Sequence, residues 1–322
     1  MMSKTILSVV LLGAFVPAHA AVTGGTSNAA NVAPQASTAL PFGANKPGLS
    51  LNGSSLVINL KDGPIHHIAK KYSNTPINSS LSASVDGLAN PKYLTLKDVN
   101  AVAGLFTNPT LGQIWYEQRS PNEAVAGQQT AIFGVYSIRQ IANPALPAAP
   151  KFGGLVIAEV PNLPAGTAVY FGEWGPRAGN PSTGSDTNLN LNTAEHTVWY
   201  VGENATGSTK HLSTASYAVL GVNQHVPGQN DFFQGQLDAT FGNQAEGSLN
   251  GALTRVSNSS DVVAFDNVTI NNNDGTFFKD AAGNRIISGQ FFGPNADALA
   301  GYATRGTSNP ADDVAFGGNR VQ

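Results

Sequence analysis

From residue 213 onward, apolar and polar residues alternate in short runs separated by Gly, Asn, Asp and Pro. STASYAVLGV (213–222), GQLDATFG (235–242), EGSLNGALTRV (246–256) and VVAFDNVTI (262–270) carry this pattern. A period of two places successive side chains on opposite faces and predicts antiparallel strands joined by tight turns. GQFFGPNADALAGYAT (289–304) and a final AFGGNR (315–320) complete the series. Closing such a sheet into a small barrel of about eight strands would remove its exposed edges.

The same pattern recurs upstream. SSLVINL (54–60), GQIWYEQR (112–119), TAIFGVYSIRQI (130–141), GGLVIAEV (153–160), TAVYFGEW (167–174) and HTVWYVG (196–202) predict further strands. Two segments have helical spacing instead. In IHHIAKKYSN (65–74), Ile65, Ile68 and Tyr72 share a face at i, i+3 and i+7, and in TLKDVNAVAGLF (95–106) Val99, Val102 and Phe106 do the same behind an approximate Thr95–Asp98 capping box. Residues 21–50 are small, polar and proline-punctuated, which predicts an irregular lead-in. Residues 175–195 read as a polar loop. Apolar periodicity lapses in ENATGSTK (203–210). The expected fold is mainly β: a ligand-binding N-terminal domain with short helices over residues 21–205, and a C-terminal antiparallel barrel over 206–322.

Composition changes this picture in three places. Residues 1–20 have one lysine, Lys4, then an apolar stretch and an Ala-His-Ala site, which predicts a cleaved secretory leader and a mature start at Ala21. The sequence has no cysteine, so disulfides and a lipid-bearing thiol at the mature start are not expected. Removal of Lys4 leaves 16 basic against 20 acidic residues with no basic run, which argues against nucleic acid and anionic membrane as partners. No later apolar run approaches the roughly twenty residues of a membrane helix, and most strand segments are shorter than the roughly nine to eleven that a spanning strand needs. Membrane insertion is therefore not expected.

The stretch 289–304 with the final AFGGNR resembles the closing strands of the C-terminal barrel of transferrin-binding protein B and related surface proteins. Together with HTVWYVGENATG (196–207) it resembles the hemophilins, and YFGEWGPR (170–177) adds a weaker likeness. The resemblance spans residues 195–320. It implies a secreted protein of a Gram-negative bacterium, passing through the periplasm and exported by a Slam-type outer-membrane translocator. It further implies capture of non-covalent haem b, with haemoglobin as a source, and delivery to a TonB-dependent outer-membrane receptor. Two other functions fit the same chain: a host-protein-binding module without a small ligand, and a carrier of a different apolar molecule.

Haem iron takes an axial nitrogen, sulfur or phenolate donor. Cysteine is absent and both methionines lie in the leader, so histidine and tyrosine remain. The five histidines after the leader are His66, His67, His196, His211 and His225. His66 and His67 are favoured for the iron, because Ile65 and Ile68 could cover a porphyrin face and Lys70 and Lys71 could meet propionates, with Tyr72 close by. Neighbouring side chains diverge by about 100° on a helix and about 180° on a strand, so only one of the pair can serve a given iron face. His196 is expected at a strand end on the surface, or beside a pocket wall formed by Trp174 and Trp199. His211 and His225 should lie in loops flanking the first barrel strand. No two histidines have zinc-ligand spacing. No nucleophile elbow or phosphate-binding loop occurs, so an enzyme is not expected.

Intact-mass measurement of the secreted protein is expected to give the unmodified chain beginning at Ala21. A mass raised by acyl chains contradicts that expectation.

Overall fold

The computed structural model describes residues 21–38, 43–65, 92–99, 108–121, 131–143, 151–181, 186–306 and 309–321. The first half supplies β1 (Val22–Thr26), β2 (Val32–Ala36), β3 (Pro47–Leu51), β4 (Val57–Asn59), β5 (Lys92–Thr95), α1 (Leu96–Val99), β6 (Thr110–Arg119), β7 (Phe133–Gln140), β8 (Gly154–Glu159), β9 (Ala168–Gly175) and β10 (Thr197–Glu203). Seven of these strands form an antiparallel sheet in the order β1-β10-β9-β8-β7-β6-β5, and β2-β3-β4 form a second. The two sheets enclose a core in which Val32, Leu49, Leu51 and Ile65 meet Tyr136, Ile157, Tyr170, Trp174 and Trp199.

Residues 21–50 correct the expectation of an irregular lead-in, because they contribute β1, β2 and β3. Among their described apolar groups, Val32 and Leu49 are fully buried. The small residues meet a demand for close approach, since a Cβ at Gly24 would collide with the Tyr200 carbonyl of β10. β1 pairs with β10 from Val22↔Glu203 to Thr26↔Trp199, so backbone bonds supply the ordering that side chains do not. In the second helical segment, Leu96–Val99 is helical. Its first N–H groups are met by Pro109 O at 3.1 Å and Asn108 Oδ1 at 2.9 Å. The remainder of that segment, and the other helical segment beyond Ile65, lie outside the described residues.

The second half supplies β11 (Ala215–Val222), β12 (Phe233–Thr240), β13 (Glu246–Arg255), β14 (Asn258–Ala264), β15 (Val268–Asn271), β16 (Thr276–Ala281), β17 (Asn284–Phe292), β18 (Ala298–Ala303) and β19 (Val314–Arg320). The order β12-β11-β19-β18-β17-β16-β15-β13, with β13 pairing back to β12, closes an eight-stranded antiparallel barrel, and β14 flanks β13. VVAFDNVTI, a single strand by its alternation, is divided into β14 and β15 at Asn267, whose φ of 54° is left-handed. Asn tolerates that conformation better than most residues. β16 has no counterpart among the segments singled out by pattern. The β17–β18 turn holds Gly293 at a φ of 85°, while Asp297 Oδ2 accepts from Asn295 N at 3.2 Å.

The barrel interior is packed solid. Phe291 lies 5.2 Å from both Phe241 and Phe277, and Phe316 lies 5.0 Å from Phe265. Outward positions such as Gln236, Asp238 and Thr240 on β12 are exposed and polar. This arrangement is the reverse of a lipid-embedded barrel, which is apolar outside and polar within. Among the described residues no helix is long and apolar enough to cross a membrane.

One stripe of the barrel exterior is apolar, and it seats the seven-stranded sheet. Leu220 and Val222 of β11, Ala298 and Ala300 of β18, and Ala315 of β19 pack against Val160, Val169, Phe171, Val198 and Tyr200. The motif residues of β18 and β19 therefore alternate between two duties. Leu299, Ala303, Val314 and Phe316 fill the barrel, while the intervening small residues let the sheet approach. At Gly317 any Cβ would strike the Phe171 ring. Gly317→Val is expected to lower unfolding stability by about 1–3 kcal/mol through overpacking, read from the urea midpoint. An unchanged midpoint contradicts this packing.

Candidate functional site

The barrel-facing side of the sheet is apolar except at a few positions. Glu117 occupies an inward position on β6 two residues from Trp115, and Glu173 does so on β9 two residues from Phe171. Both carboxylates are fully buried. Charge in that environment is costly unless it is paired and hydrogen-bonded. The partners come from the barrel, chiefly from the loop of residues 223–232 that joins β11 to β12.

Glu173 has three donors. Its Oε2 accepts from the Gln224 backbone N–H at 2.6 Å and meets His196 Nε2 at 2.7 Å, and its Oε1 accepts from the His225 backbone N–H at 2.8 Å. His196 immediately precedes β10, and its Nδ1 lies 2.8 Å from the Pro310 carbonyl. A carbonyl only accepts, so Nδ1 carries a proton; an Nε2–H donating to the carboxylate then makes the ring an imidazolium. Burial pulls the His196 pKa down, but the hydrogen bond and charge of Glu173 and the Pro310 carbonyl outweigh it, and the net shift is upward.

Glu117 holds the other end of the loop. It accepts from the Gly228 backbone N–H, and its Oε2 lies 2.8 Å from Arg119 Nη2 and 3.4 Å from His225 Nε2. At 3.4 Å the last contact is a charge contact without a hydrogen bond, so His225 Nε2 is buried with no hydrogen-bond partner. His225 Nδ1 meets Asp231 Oδ1 at 2.6 Å, and the Asp231 carboxylate also accepts from Val226 N at 2.8 Å. The Phe232 ring lies against both side chains, 4.4 Å from the His225 ring centroid and 5.0 Å from the Arg119 guanidinium carbon. Burial lowers the His225 pKa, yet the charge and hydrogen bond of Asp231 and the nearby Glu117 carboxylate prevail and push it up to about 10.

The loop is also tied to its own barrel. Asn223 Nδ2 donates to the carbonyls of Ala311 and Asp313 at 2.6 and 2.8 Å, in the short 3₁₀ turn Pro310–Asp312 and just after it. Arg255 Nη1 donates to Asp231 O at 2.8 Å, and Arg255 and Arg305 share Asp261 at 2.7 and 2.8 Å. Burial pushes Asp313 up to about 6, against the pull of the Arg305 backbone N–H and of His196.

These positions correct the expectation for His196. It is fully buried, both ring nitrogens are engaged, and neither offers a lone pair to an iron. Trp174 and Trp199 do not stand beside it; they belong to the core on the opposite side of the sheet. His225 lies in a loop as expected, but it is fully buried between the Asp231 and Glu117 carboxylates. His211 is in a turn, with Nδ1 2.7 Å from Asn243 Oδ1. His66, His67, Lys70, Lys71 and Tyr72 lie outside the described residues. Among the described residues no group of three or more His, Asp or Glu side chains is arranged to hold a metal ion. Glu117, Glu173, Arg119 and Asp231 were not singled out by sequence, although Glu173 had a signal: in VYFGEW a carboxylate falls on the strand face that otherwise carries Val169 and Phe171.

No protein-family profile matches the sequence. Among the solved structures to which this chain is similar are the two that follow. One is described as HpuA from Kingella denitrificans in complex with human haemoglobin; it is 15% identical, with 66% of this chain and 84% of that chain covered, at a TM-score of 0.31. The other is described as a surface lipoprotein; it is 13% identical, with 66% of this chain and 99% of that chain covered, at a TM-score of 0.30.

Glu173→Ala strands His196⁺ and two loop N–H groups in a dry junction. It is expected to cost about 3–5 kcal/mol, the range for removing one partner of a buried ion pair, measured by chemical denaturation. A loss below about 1 kcal/mol would show that the junction is wetter than its geometry.

Proposed function

We propose that the protein is a secreted haemophore that captures haem, with haemoglobin as one source, and passes it to a TonB-dependent outer-membrane receptor. One observation carries this reading. The stretch whose sequence resembles the closing strands of the transferrin-binding-protein-B barrel, and which with HTVWYVGENATG resembles the hemophilins, lies on contiguous strands β17, β18 and β19, and its outward small residues seat the N-terminal sheet. The resemblance thus coincides with a structural unit rather than with scattered residues. In this reading the solid barrel is the module handled by a Slam-type translocator, and haem belongs to the N-terminal half.

The described histidines narrow the choice of iron donor. His196 and His225 are committed to buried carboxylates, and His211 belongs to a barrel loop. An imidazole donor would then be His66 or His67, with Lys70 and Lys71 for the propionates and Tyr72 as the phenolate alternative. Bound haem b would supply the iron and an absorbing macrocycle; the chain's part is to offer an axial donor and apolar cover.

Haemin titration of the secreted protein is expected to produce a saturable Soret shift at about one equivalent. His66→Ala combined with His67→Ala should alter that band and weaken retention, whereas His211→Ala leaves both unchanged. A wild-type protein without a Soret shift overturns the haem reading. A double variant with the wild-type spectrum moves ligation to another donor.

A further inference from the structure

We propose that the loop joining β11 to β12 is a proton-operated latch. It fastens the barrel to the sheet while His225 and His196 carry their protons and releases when His225 loses its own. This inference is independent of the haem reading, since it uses only residues at the junction.

The geometry makes the latch electrostatic. Three backbone N–H groups of the loop, those of Gln224, His225 and Gly228, end on carboxylates that belong to the sheet. Three carboxylates therefore face the loop: Glu117 from β6, Glu173 from β9 and Asp231 from the loop itself. Three cations answer them: Arg119 from β6, His196 ahead of β10 and His225 from the loop. The set is neutral only when both rings are protonated. Deprotonating His225 leaves Glu117 and Asp231 with Arg119 alone, a net negative charge where Glu117, Arg119 and His225 have at most 1% side-chain exposure.

The remaining charged groups at the junction do not make up the deficit. Arg255 of β13 reaches the loop through carbonyl oxygens; it and Arg305 share Asp261 of β14, and Asp313, which accepts from the Arg305 backbone N–H, offsets the second guanidinium. Asp313, just after the 3₁₀ turn, adds negative charge next to His196. Releasing the loop rehydrates the carboxylates. Each unit keeps a core of its own, because the barrel interior and the core between the two sheets share no residue with the seam.

The sign follows from linkage. A histidine whose pKa is raised by folding stabilises the folded state fully below its unfolded value of about 6.5 and loses that contribution as pH rises through the folded value. For His225 the window runs from about 6.5 to about 10. His196, also raised, acts in the same direction. Asp313, raised to about 6, likewise lowers stability as pH rises, between the ordinary value of 3.8 and 6. The latch is closed in acid and at neutrality and opens in alkali, opposite in sense to histidine switches that open at pH 5–6.

Two measurements on the full chain test this. Nitrogen-resolved imidazole spectra at pH 7.5 should show His225 with both ring nitrogens protonated; a neutral tautomer overturns the proposal. Hydrogen-exchange protection factors, normalised for intrinsic rate, should fall between pH 7 and 10 at Gln224, His225 and Gly228. The fall should reach about tenfold per pH unit where one proton is released, while the barrel-core amides of Tyr217 and Leu237 hold theirs. His225→Gln should abolish the pH dependence of the loop amides. Should that variant not fold, Asp231→Asn must instead shift the His225 titration to lower pH. Loop protection that is flat with pH, or that falls in step with the barrel core, overturns the latch.

Discussion

Two glutamates without solvent exposure, Glu117 and Glu173, set the terms for the whole molecule. Their strand face would otherwise be a plain apolar surface able to meet the barrel in several registers. Carboxylates in that position accept only partners that bring donors to fixed points, and the β11–β12 loop brings three backbone N–H groups and an imidazolium. Non-directional burial of the Phe171 and Val198 face supplies attraction. The carboxylates supply the position at which that attraction is satisfied without stranding a charge.

The small residues of β18 and β19 follow from the same constraint. The loop donors reach Glu173 only if the β9 backbone comes close to the barrel wall, and Ala298, Ala300, Ala315 and Gly317 leave that room. The barrel interior behind that wall is filled by phenylalanines. The motif that reads as a family likeness in sequence is thus, physically, a wall that must be bulky inside and bare outside.

Strand content was legible because alternation survives wherever one face is buried and the other polar, as in β12 and β13. It failed where the pattern is carried by backbone rather than side chains: β1 and β2 have little apolar content and are ordered by pairing with β10 and β3. It also failed at Asn267, where one apolar run crosses a left-handed residue and becomes two strands. The junction was harder still. Glu117 and Asp231 are separated by more than a hundred residues and meet only because the barrel docks, and the histidine that joins them gives no local sign of burial. His196 was noticed for its chemistry, but its partners, Glu173 and Pro310, lie on other strands and loops and cannot be found by spacing.

If the seam and its buried charges bind the sheet and barrel into one body, residues 21–322 should unfold as one unit at pH 7. Differential scanning calorimetry tests this directly. One endotherm is expected, with a calorimetric enthalpy about equal to the van't Hoff value. Two resolved transitions, or a calorimetric enthalpy well above the van't Hoff value, would show that the halves melt independently and that the junction does not govern the fold.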